Sequence, residues 1–158
     1  MTDARFEDGA EAPLRLIAQM PDDLPVLAAL LQDAVFPITE MTYDRKRRRF
    51  GLLLNRFRWE DRDAATRAGR AFERVQSLLV VQDVLAVRTN GIDRGDQEMV
   101  LSLLTLAFEA GADGAGALVL TLAGDGALSL QVEALDITLT DVTRPYRAPS
   151  GKAPTHPA

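Results

Sequence analysis

The spacing of apolar and polar positions along the chain changes period several times, and each change marks an element. Leu14, Leu16 and Ala18 alternate with Arg15, Ile17 and Gln19, which predicts a short strand over 14–19, stopped by Pro21 and Asp22. The period then becomes helical. Leu24, Leu27, Ala28, Leu31, Ala34 and Val35 form one stripe, Asp22 or Asp23 can cap the free amides, and Pro37 bars continuation, so a helix is expected over about 22–34. Residues 38–44, rich in Ile, Thr and Tyr, predict a strand that reverses through the basic 45–47 into a second strand. Along that strand Phe50, Leu52 and Leu54 share one face, while Phe57 and Trp59 share the other. A bulge or strong twist near Asn55 is expected to keep both sets inward and to turn Arg56 and Arg58 outward. Helical spacing of Phe50, Leu53, Leu54 and Phe57 competes with this reading, but Gly51 and Asn55 weigh against it.

Residues 60–66 are charged and small, which predicts a loop. Over 67–81 two periods overlap: Ala68, Ala71, Phe72, Val75, Leu78 and Leu79 fit a helix, whereas 78–81 and the mirror run 84–87 suit a hairpin turning at Gln82-Asp83. The hairpin is the favoured reading. Asn90-Gly91 marks a further turn, and the runs 99–109, 118–122 and 128–141, broken at Gly111–Gly114, at Gly124–Gly126 and by a phase change near Ala134, read as a meander. Four prolines follow within the last 14 residues (Pro145, Pro149, Pro154, Pro157), so 144–158 is expected to be a disordered tail, and the acidic, apolar-poor 1–12 a flexible arm. The fold class predicted is α+β: one domain over 13–143, an antiparallel sheet or partly closed barrel of about 7–8 strands built from hairpins, with the 22–34 helix packed on it. With 158 residues and 47% apolar content, such a domain can bury its core without staples.

Charge adds the one feature the pattern does not explain. Net charge is −5, yet 45–74 holds 11 of the 18 Lys and Arg against four acids, making that block +7 and the remainder −12. The overall balance argues against nucleic acid as a partner and leaves the block as a local anion-facing surface. The longest near-apolar run, 99–108, is too short to span a bilayer, and 1–12 lacks a basic-then-apolar leader pattern, so no membrane association and a cytoplasmic location are expected.

The residue inventory removes much chemistry. There is no Cys, and the single histidine, His156, lies in the Pro-rich tail, so Ser-His-Asp, Cys-His and Cys/His zinc arrangements each lack a member. Paired carboxylates at Asp22-Asp23, Glu60-Asp61 and Asp93/Asp96 have hard-cation chemistry available to them, but read more simply as a helix cap and solvated loops. The glycines at 111, 114, 116, 124 and 126 precede strands rather than helices and read as hairpin turns, not a phosphate loop. The sharp candidates are therefore the anion- or partner-binding set Arg47, Arg48, Arg49, Arg56 and Arg58 with Trp59 as a stacking face. Against them stand three plainer roles: pairing with the chain's own acids, lying along apolar surface, and blunting an edge strand. No catalytic residue, metal or cofactor is assigned.

Read together, 31–35 (Leu-Gln-Asp-Ala-Val), the run from Arg47-Arg48-Arg49-Phe50 to Trp59-Glu60-Asp61, and 74–77 (Arg-Val-Gln-Ser) carry a resemblance. So do 84–88 (Val-Leu-Ala-Val-Arg) and 100–104 (Val-Leu-Ser-Leu-Leu). The chain resembles a family of uncharacterised alphaproteobacterial proteins, a domain of unknown function. That resemblance implies a bacterial, cytoplasmic setting and supplies no catalytic residue. The function expected is a non-enzymatic binding or assembly module using the Arg-rich strand, with a homodimer or an acidic protein as partner. The alternative is a small enzyme or sensor for an anionic phosphate or carboxylate metabolite, clamped by Arg48, Arg56 and Arg58.

Overall fold

A computed structural model of the chain describes residues 12–93, 95–148 and 153–154. Its elements run β1 (Arg15–Ala18), α1 (Leu24–Leu31), β2 (Val35–Pro37), β3 (Met41–Asp44), β4 (Arg49–Phe57), α2 (Arg62–Ala68), β5 (Glu73–Val81) and β6 (Val84–Asn90). They continue with β7 (Val100–Ala110), β8 (Gly116–Leu122), β9 (Ala127–Val132), β10 (Ile137–Asp141) and β11 (Tyr146–Arg147). Short 3-10 turns over Pro21–Asp23, Ile38–Glu40 and Trp59–Asp61 link some of them.

β4 organises the sheet. It pairs with β5 in one unbroken antiparallel register from Phe50↔Val81 to Phe57↔Arg74. Its other edge is shared by β3 at the start, through Met41↔Leu52 to Asp44↔Arg49, and by β2 near the end, at Val35↔Asn55. From β2 the sheet continues through β7, β8 and β9 to β6, and from β5 through β10 to β1, with β11 also on β5. These pairings are all antiparallel. Strict alternation delivers Phe50, Leu52 and Leu54 of β4 and Leu79 and Val81 of β5 to one buried face, where α1 contributes Leu24, Leu27 and Leu31. The inward sides of β8 and β9, including Leu118, Leu120, Leu128 and Leu130, complete the same core.

The antiparallel sheet with a packed helix agrees with the sequence pattern, but its extent differs. Among the described residues there are eleven strands rather than 7–8, the sheet is open, and two short helices are present rather than one. α1 stops at Leu31 because Asp33 turns left-handed (φ 63°) and Ala34 donates its N–H back to the Leu31 carbonyl. Ala34 thus reaches the core through a turn into β2, not through a longer helix. Asp23 does not cap α1 either; its carboxylate accepts the Gln19 and Met20 amides. α2 occupies most of the expected loop, buries only Ala65, and ends at Gly69 in the left-handed region (φ 65°).

The two strands flanking Gln82-Asp83 are present, but they do not form a hairpin with each other. Both edges of β5 are taken by β4 and β10, so the chain turns at Asp83 (φ 56°) and β6 pairs with β9 instead. β7, β8 and β9 form the expected meander, whereas β10 leaves it to pair with β5 and β1. The expected tail also holds structure, since Tyr146↔Arg74 and Arg147↔Glu73 place β11 on β5 and Ala148 is buried. All of the expected arm over 1–12 except Ala12, and residues 149–152 and 155–158 of the expected tail, lie outside the described residues. No helix among the described residues is long and apolar enough to cross a membrane.

Candidate functional site

The six predicted site residues divide into two sets at opposite ends of β4. Arg47 and Arg48 lie in the turn before that strand, and Arg49 opens it. This tip is locally closed: the Arg47 amide donates to Asp44 Oδ1 at 3.1 Å, the Arg48 amide to the Arg45 carbonyl at 3.3 Å, and Arg48 itself is left-handed (φ 54°). All three side chains are exposed. Arg47 stands 3.9 Å from Asp44, Arg48 bonds Glu133 at 2.9 Å, and Arg49 bonds Gln82 at 3.3 Å. Exposed pairs of this kind hold their partners weakly.

At the other end no bulge interrupts β4, so alternation continues past Leu54 and turns Arg56 inward, against the expectation that it faces solvent. Arg56 is fully buried (0% exposed) and each of its three guanidinium nitrogens is hydrogen-bonded. It donates to both Glu60 oxygens at 2.9 and 2.7 Å, to both Asp141 oxygens at 3.0 and 3.1 Å, and to Ser77 Oγ at 3.0 Å. Asp141 is held further by the Ser77 hydroxyl at 2.7 Å and the Leu14 amide at 2.9 Å. Burial pulls the Arg56 pKa down, but Glu60 and Asp141 outweigh it, so the net shift is upward and the charge is locked in place.

Arg58 is likewise buried rather than outward, 2.5 Å from Glu73 and 3.8 Å from Asp61. Arg70 grips Asp61 through both carboxylate oxygens at 2.7 and 2.6 Å, and this bonding, opposed by burial and aided by Arg58, lowers the Asp61 pKa. Trp59 is half-buried: its indole N–H donates to the Gln32 carbonyl at 2.9 Å, and its ring meets Phe57 edge-on at 4.7 Å and lies 5.5 Å beneath Arg62. Asn55 is bonded to Arg74 and Tyr146 on the outer face. The structure therefore does not bring Arg48, Arg56 and Arg58 together as a clamp; Arg49 and Arg56 are seven residue steps, roughly 24 Å, apart along β4.

The acidic pairs are similarly engaged. Glu60 and Asp61 serve Arg56 and Arg70, while Asp93 and Asp96 accept the amides of Gly95 and Glu98. Among the described residues no group of three or more His, Asp or Glu is placed to hold a metal.

Sequence reasoning missed a cleft beside the Arg47–Arg49 end. Among the described residues β3 pairs only with β4 and β6 only with β9, so the sheet parts between them into a cleft of about 600 Å³. Its floor is core, with Ile38, Phe50 and Leu128 all buried, and its walls are Met41, Thr42 and Tyr43 of β3 against Leu85, Ala86, Val87 and Thr89 of β6. Arg45 and Gln97 stand at its rim. The Tyr43 hydroxyl donates to the Val84 carbonyl at 2.8 Å, and the Val84 amide to the Arg48 carbonyl at 2.8 Å, so the cleft narrows toward the basic tip. The signal for it in the sequence was the pairing of β6, which no local pattern records.

Neither a curated protein nor a solved structure matches the chain. A family model described as "protein of unknown function (DUF2948)" matches residues 14–156, and the chain belongs to that family.

Proposed function

We propose that the protein is a non-enzymatic binding module whose site is the β3–β6 cleft together with the basic tip, Arg45 to Arg49, and whose partner is an acidic protein surface. The observation that carries this reading is the position of the cleft, a concave opening of ordinary ligand-site size that reaches core residues and is lined by the exposed Arg45, at the head of the basic turn. Its ionisable lining among the described residues is Arg45 and Tyr43. Hydroxyls, one amide, one guanidinium and apolar side chains are an inventory for recognition rather than for proton transfer. Arg47, Arg48 and Arg49 belong to this site, their weak surface pairs being exchangeable for a partner's carboxylates. Arg56, Arg58 and Trp59 serve the fold.

A thermal-shift panel of carboxylates, phosphates and acidic peptides tests it on the full chain. Ligand at a hundred times its dissociation constant stabilises by about 2.7 kcal/mol. Carboxylate ligands with apolar bodies should raise the melting temperature of the wild type, and the rise should shrink in Arg45→Glu and in the cleft-filling Ala86→Arg. A flat panel, or shifts indifferent to both substitutions, contradicts the reading.

A further inference from the structure

The cleft walls are strand edges, and that decides what kind of occupant fits. Among the described residues β3 has one neighbour and β6 has one neighbour, so alternate residues of each strand direct N–H and C=O groups into the space between them. Neighbouring strands lie about 4.8 Å apart. β3 and β6 do not pair, and at the narrow end the link between them is the whole Tyr43 side chain reaching the Val84 carbonyl. The two strands are therefore not bonded to each other along the cleft, and a strand bonded to both would hold them about two such spacings apart. Neither edge carries the usual protection of Lys or Pro: β3 reads Met-Thr-Tyr-Asp, β6 reads Val-Leu-Ala-Val-Arg-Thr-Asn, and Leu85 stands 46% exposed.

We infer that the occupant is a β-strand: an extended segment of an acidic partner protein that inserts between β3 and β6 and bonds to both. The inference rests on the cleft being the binding site. Alternate side chains of the inserted strand point down onto Ile38, Phe50 and Leu128 and are apolar; a carboxylate at the end nearest the tip meets Arg45, which has no ion pair among the described residues. Because β3 ends and β6 begins at the tip, the inserted strand is antiparallel to one wall and parallel to the other. A compact metabolite would meet Arg45 and the floor but leave both rows of backbone groups unpaired. A second copy offers its own exposed edge, β1, whose sequence Arg-Leu-Ile-Ala brings a cation to Arg45 instead of an acid.

The probe is a fluorescein-labelled, end-blocked hexapeptide, Glu-Val-Thr-Val-Thr-Val, titrated against the full chain by fluorescence anisotropy. Two versions N-methylated on the odd or the even backbone amides keep every side chain but remove one row of donors each. The parent should bind saturably, and each N-methylated version at least tenfold more weakly, since each faces one wall. Replacing Glu by Lys, or Arg45→Glu at its exposed position, should weaken binding several-fold, and both together should restore part of it. Equal binding of the N-methylated peptides, or no peptide binding while small carboxylates still shift the melt, overturns strand insertion and leaves the cleft as the site. If peptides and small carboxylates both fail, the site reading falls with it.

Discussion

Arg56 and Arg47 carry the same guanidinium nine positions apart, and their surroundings give them opposite roles. Removing Arg56 leaves Asp141 and Ser77 facing a vacated, water-poor position. Arg56→Met should therefore cost about 3–5 kcal/mol, the range for breaking one side of a buried pair. Arg47→Ala, at a 71% exposed side chain, should fall within about 0.5 kcal/mol. Urea unfolding of the two variants checks both. Asp61 supplies a pH signature. Folding lowers its pKa through Arg70 and Arg58, so its contribution is full above the unfolded value of about 3.9 and is lost as pH falls through the lower folded value. Asp61→Asn should destabilise strongly at neutral pH, and the gap from wild type should narrow on acidification below about pH 4 in the same assay. The Arg cluster was legible in the sequence as a cluster, but not the division within it. What separates Arg56 from Arg47 is Asp141, 85 positions away, brought alongside only by the β10–β5 pairing.

At the scale of elements, local period was a good guide to what each segment becomes and a poor guide to its neighbour. The alternation in 50–54 and the run 78–81 do become strands, and the turns at Gly114 and Gly124, both left-handed, do separate β7, β8 and β9. α2 was hidden because one buried alanine makes no stripe; its stop signal, Gly69, is what a sequence could have offered. Gly69→Ala forces a Cβ into left-handed backbone, where the strain is about 1–2 kcal/mol, although no atom lies within 4 Å to clash. The variant should unfold at correspondingly lower urea with its spectra unchanged. The expected hairpin of β5 with β6 failed for a physical reason: an adjacent strand pairs only where an edge is free, and β10 and β4 occupy both edges of β5. That same displacement sends β6 to β9 and leaves the opening opposite β3.

For the whole molecule, the segregation of a +7 block from a −12 remainder now has two explanations in one chain. One part of the block closes an end of the core, where the buried Arg56 and Arg58 and the exposed Arg70 pair with Glu60, Asp61, Glu73 and Asp141. The exposed half, Arg45 to Arg49, stands beside the break in the sheet. Binding there should weaken as salt is raised, because the attraction that steers an acidic partner is screened within about 10 Å at 0.1 M. The most direct measurement is amide hydrogen exchange of the full chain, residue by residue, with and without the acidic hexapeptide. Free, β3 and β6 should exchange faster than β4 and β5, whose ladder is unbroken. With peptide, protection should rise over 41–44 and 84–90 and nowhere else as strongly. Protection unchanged in those two strands would contradict strand insertion, and protection gained instead on the outer face around Arg74 and Tyr146 would contradict the cleft as the site.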